Sequence, residues 1–152
     1  MIELGKNYRP QRFGFAVLAI DFLVIETLQG FRDGLVDHTR KSGELFTKFL
    51  TGWDVFTNCV QRDHDPQTLA GQVYRDYRCG LLHSGSTKCT FRVGVSGAAF
   101  AFNGDDDVKI NRTELHENLK RAFALYLDEL QAPDGKDLRR NFKIKMDAIC
   151  GA

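Results

Sequence analysis

The chain has 152 residues, enough for one domain burying roughly 70% of its unfolded surface and too few for two independent cores. Hydrophobic residues at 43% and charged residues at 27% exclude a disordered chain, and a formal charge of +1 excludes a protein that grips long duplexes by a broad positive field. Twelve Phe against one Trp and four Tyr point to a core packed with rings.

Residues 1–11 are polar, and Pro10 sits near the expected start of the first helix. From Arg12 to about Phe31 the apolar residues Phe13, Ala16, Val17, Ile20, Leu23, Val24, Leu28 and Phe31 recur at helical spacing. Leu18, Phe15 and Phe22 make this helix apolar almost all round, as expected of a bundle centre or a subunit interface. Asp21 interrupts the run, which is too short and too polar for a membrane span. A carboxylate there has to be paired or sit at an edge. It is read either as a structural hydrogen bond or as a group orienting Arg or His; Glu26 takes the structural reading.

Residues 30–43 hold three glycines with mixed charges and read as a connection. The second helix carries the stripe Leu45, Phe46, Phe49, Leu50, Trp53 and Phe56, with Ser42 placed to cap it. That stripe reads as core, with Trp53 as the ring most suited to partial exposure. The third helix opens with Asp65 as cap and Pro66 at the first position, and buries Leu69, Val73, Tyr77 and Leu81.

Near its end stand Arg78 and His83, five positions apart, or roughly 140° around an α-helix. The arginine is long and Ser84-Gly85 offers a helix exit, so the two can converge on one phosphate-sized site. Arg supplies a planar fork of donors and His a proton carrier near neutral pH, a pairing suited to phosphodiester chemistry. Against this stands a salt bridge from Arg78 to a carboxylate such as Asp21 or Asp76.

Beyond a polar turn, Cys89, Phe91, Val93 and Val95 alternate with polar residues or glycine, residues 98–102 allow a second strand and residues 108–110 a third. This predicts a small antiparallel hairpin at about 89–110, inserted in one mainly α domain that spans residues 1–152 as a bundle of four to five helices. Asp105, Asp106 and Asp107 lack the calcium-loop pattern and read as a solvated turn. Asn111 and Glu114 can cap a fourth long helix bearing Leu115, Leu119, Ala122, Phe123, Tyr126, Leu127 and Leu130, with His116 and Glu117 on its polar side. Pro133-Asp134-Gly135 then breaks the chain. Leu138, Phe142, Met146 and Ile149 fit a final helix, while Phe142, Ile144 and Met146 also fit a strand; Arg139, Arg140, Lys143 and Lys145 make this tail basic enough to border an anion cleft.

Cysteines 59, 79, 89 and 150 form no C-x-x-C pair and no short ligand spacing with the four histidines. The expectation is a reduced cytoplasmic protein without metal or cofactor.

A helical domain with Arg78-Cys-Gly-Leu-Leu-His83 closing its third major helix resembles the HEPN superfamily, whose signature is an arginine, four to six residues and a histidine. The resemblance in layout covers residues 12 to 131. It implies a homodimeric, metal-independent endoribonuclease with two such motifs facing one groove, or a relative that only binds RNA or proteins. It also implies toxin or antiphage roles, sometimes under an inhibitory protein partner. Arg78 and His83 are then the catalytic candidates, with Tyr77, Ser84 and Lys88 as substrate contacts and Asp21 and Cys79 as orienting residues. Cys79 stands where active members of the family usually carry Asn, Asp or His.

Overall fold

The computed structural model describes residues 13–84, 92–103 and 107–151. Among them the chain is mainly α, with a small mixed sheet of three strands.

Helix α1, Gly14–Asp33, is the element the others pack against, touching α2 (Ser42–Thr51), α6 (Arg112–Gln131) and α7 (Lys136–Cys150). Its core face is Leu18, Phe22, Ile25 and Leu28, at helical spacing; Phe22 meets Phe46 of α2 edge-on at 5.4 Å. The opposite face stays apolar but exposed at Ile20 and Leu23, so the all-round hydrophobicity of this helix is divided between core and surface. Among the described residues α1 alone is long and apolar enough to cross a membrane, and half of that stretch is buried inside the fold. It ends at Gly34, whose φ of 63° is the left-handed geometry of a helix stop.

The second expected helix divides in two. Gly52 closes α2 and Trp53 turns extended (φ −107°, ψ 116°), so that the short α3, Asp54–Thr57, carries Phe56 into the core. Ser42 is the first residue of α2 and does not cap it, because its hydroxyl is committed elsewhere.

Helix α4, Pro66–Val73, starts as its sequence requires: Asp65 accepts from the amides of Gln67 and Thr68. It continues as a π-helical turn, Tyr74–Cys79, before reverting to α5, Gly80–Ser84. The stripe Leu69, Val73, Tyr77 and Leu81 is buried throughout.

The sheet contains the expected antiparallel hairpin but is not antiparallel throughout. Strands β1 (Arg92–Gly94), β2 (Phe100–Phe102) and β3 (Val108–Asn111) run in the order β1-β3-β2. β2 pairs antiparallel with β3, Phe100 opposite Ile110, whereas β1 lies parallel to β3, Arg92 opposite Lys109. The cause lies at residues 95–99. Gly97 adopts φ 87°, and Asn111 ties the bend down through Nδ2 to the Gly97 carbonyl (2.5 Å) and its amide to the Ala99 carbonyl (2.9 Å). β1 is thereby carried past β2 to the far side of β3. Phe56 packs edge-on against both Phe100 and Phe102, at 5.1 and 5.7 Å, and so joins sheet to helices. Cys89 to Phe91 and the acidic residues Asp105 and Asp106 lie outside the described residues.

Asn111 caps α6 as expected, with Oδ1 accepting from the amides of Thr113 and Glu114. The tail left open between helix and strand is helix α7, seated by Phe142 against Phe31 at 5.4 Å.

Candidate functional site

Arg78 is the fifth residue of the π-helical turn, a rare geometry that recurs at functional sites. Its guanidinium meets Glu26, a helix away and 52 residues earlier: Nε donates to Oε1 and Nη2 to Oε2, the latter at 3.0 Å. Nη2 also donates to Ser42 Oγ at 2.8 Å, and Ser42 Oγ donates to Glu26 Oε2. Both charged side chains are largely buried, 14% and 8% exposed, which is tolerable only because each satisfies the other. Among the described residues Nη1 of Arg78 holds no hydrogen bond, so one edge of the fork keeps its donors. Burial works against the arginine's charge, but the hydrogen bond and charge of Glu26 outweigh it and raise its pKa above the ordinary value.

The Tyr74 ring lies under this guanidinium, 5.4 Å from its Cζ, and packs on Phe46 at 5.6 Å. Gly43 makes room for it, since a Cβ there would stand 3.1 Å from the ring. Burial pushes the Tyr74 hydroxyl above its ordinary pKa; Ser42 acts against that shift and the Cys79 thiol adds to it. Glu26, Ser42, Tyr74, Arg78 and Cys79 thus form one polar cluster where α1, α2 and the π turn meet.

The backbone of His83 and Ser84 closes α5, while their side chains, and Lys88 entirely, lie outside the described part of the molecule. Tyr77 is a core residue and cannot stack on a base. It is fully buried, and its hydroxyl donates to the Val108 carbonyl at 2.6 Å with the Arg92 carbonyl at 3.0 Å, fastening the π turn to the sheet.

Asp21 does not reach Arg78. It faces the other way around α1 and holds His116 of α6, Oδ1 to Nδ1 at 2.8 Å, across 95 residues. Burial raises the Asp21 pKa, and the hydrogen bond and charge of His116 oppose that rise. Among the described residues the cations of the basic tail turn to partners other than an anion cleft. Arg139 donates to the carbonyls of Leu130 and Ala132 at the end of α6, and Arg140 and Lys143 pair with Asp137 and Asp147 of their own helix. Lys145 turns inward to the Leu35 carbonyl (2.8 Å) and His38 Nε2 (2.6 Å). Among the described residues no three His, Cys, Asp or Glu side chains cluster as a metal site, and Asp107 pairs with Arg92 at 2.7 Å.

Sequence reasoning missed Glu26, Ser42 and His116 as partners. One signal for Glu26 was present: it lies four residues after Phe22, on the buried face of α1, where a carboxylate demands a cation. No family model, curated protein or solved structure matches this chain.

Proposed function

We propose that the Arg78 cluster is the anion-holding half of an endoribonuclease site of the HEPN kind, with His83, five residues on, as the proton carrier. The observation behind this reading is the way Glu26 and Ser42 hold Nε and Nη2 while Nη1 makes no hydrogen bond among the described residues. A guanidinium fixed along one edge presents the other to a phosphate oxygen without first having to be ordered.

In the proposed reaction the substrate's 2′-hydroxyl attacks the adjacent phosphorus and the P–O5′ bond breaks, leaving a 2′,3′-cyclic phosphate and a 5′-hydroxyl. His83 moves a proton, and Arg78 stabilises the charge growing on the non-bridging oxygens. The working unit is a homodimer in the cytoplasm. Its contact face is drawn from the exposed apolar residues of α1 and α6, including Ile20, Leu23, Phe123 and Leu127.

A second reading rests on the same ion pair. If Glu26 neutralises Arg78 for structural reasons, the domain binds RNA without turnover or serves as a dimeric regulatory subunit.

The test is cleavage of a mixed-sequence single-stranded RNA in chelator by wild type, His83→Ala and Arg78→Lys. Cleavage with cyclic-phosphate ends, reduced about 10²–10⁴-fold in His83→Ala, is the expected result. Arg78→Lys should be nearly as damaging, since Lys keeps the charge and loses the fork. Equal rates for wild type and His83→Ala would remove the reading.

A further inference from the structure

A concavity of ≈ 830 Å³ opens between the ends of α1 and α2, α3 and one side of α6. Its size is ample for a nucleotide, since ligand sites run from ~300 to ~1,000 Å³. Trp53 lies on one wall. The extended conformation that separates α2 from α3 sets this half-buried ring beside Phe49, with ring centres 5.3 Å apart. An aromatic wall of this kind suits a planar ring.

The charges on the walls narrow the ligand further. Arg32 is matched by Glu129 at 2.8 Å and Lys48 by Asp33 at 2.8 Å, so neither pair adds net charge. Arg121, on α6, makes one hydrogen bond among the described residues, from Nη1 to the Asn118 amide oxygen at 3.1 Å, and no carboxylate bridge. Glu117, one turn earlier, feels the Arg121 charge without bridging it, so among the described residues Arg121 is the cation of this cleft not held by a carboxylate and can turn to an anion. Asp54, next to Trp53, would repel a simple aromatic acid but accepts hydrogen bonds from sugar hydroxyls or an exocyclic amine. A planar ring, hydroxyl or amine donors and a separate anionic group together describe a nucleotide.

We propose that this cleft binds a ribonucleotide, its base on Trp53, its donors toward Asp54 and its phosphate toward Arg121. The ligand is either free or one residue of an RNA strand. The site does not depend on Arg78 or His83, so it stands whether or not the chain cleaves RNA.

Trp53 is the one tryptophan of the chain, so its fluorescence reports on this site alone. Wild type and His83→Ala would be titrated in chelator with AMP, UMP and a short oligoribonucleotide, with free N-acetyltryptophanamide correcting for nucleotide absorbance. Saturable quenching by a mononucleotide is the expected result; quenching by the oligonucleotide alone would support the site and assign it to a strand. Arg121→Glu changes an exposed side chain and should weaken binding about tenfold or more. Calorimetry on Trp53→Leu should show a comparable loss. The proposal is overturned by absent quenching, by undiminished affinity in Arg121→Glu, or by inorganic phosphate competing as well as AMP, which would mean an adventitious ion only.

Discussion

Glu26 and Arg78 face each other across 52 residues of chain, with both polar atoms of the carboxylate engaged by the guanidinium, and neither side chain is more than 14% exposed. Removing one partner therefore strands the other as a buried charge. Glu26→Gln should cost about 3–5 kcal/mol in urea unfolding, whereas the double variant Glu26→Met with Arg78→Met should recover most of that loss. A double variant no more stable than Glu26→Gln would show that the pair is not acting as a buried pair.

His38 gives the fold an acid sensitivity. Burial lowers its pKa first and the neighbouring Lys145 ammonium lowers it further, outweighing the Leu35 carbonyl, Glu26 and Asp37, which act the other way. The folded chain then binds fewer protons than the unfolded one, so stability is full above the ordinary value of 6.5 and falls as pH drops through it. Denaturant midpoints measured between about pH 8 and pH 5 should decline toward acid in wild type and decline less in His38→Gln, whose amide oxygen can still accept from Lys145. Parallel curves for the two proteins would exclude His38 as the source.

Gly34 carries two burdens at once. Its φ of 63° suits glycine, and a Cβ there would come within 3.0 Å of Asn141 Oδ1 and 3.1 Å of Asn141 Cα. Asn141 cannot retreat freely, because Nδ2 donates to the Arg32 carbonyl at 2.7 Å. Gly34→Ala should destabilise by about 1–3 kcal/mol. Gly151→Ala, at φ 69° with nothing within 4 Å, carries the backbone strain alone and should lose less in the same thermal melts. Equal losses would mean that crowding against Asn141 contributes nothing.

The sequence by itself determined what depends on neighbours a few positions away. Asp65 with Pro66 starts α4, Asn111 starts α6, and the spacing of Leu69, Val73, Tyr77 and Leu81 places the core side of the helix, because caps and amphipathic faces are written within one or two turns of chain. Arg78 could be singled out on the same local basis. Its partner could not: several carboxylates were within the reach of an unplaced arginine, and only the crossing of α1 with α2 and the π turn selects Glu26 over Asp21 or Asp76. Asp21 likewise finds His116 only when α6 docks on α1, and Ser42 leaves the role of cap for the Glu26 carboxylate. The sheet was decided the same way. Alternation shows where strands begin, but partner and direction depend on where the bend at Gly97 and the Asn111 side chain send the chain, and that puts β1 parallel to β3.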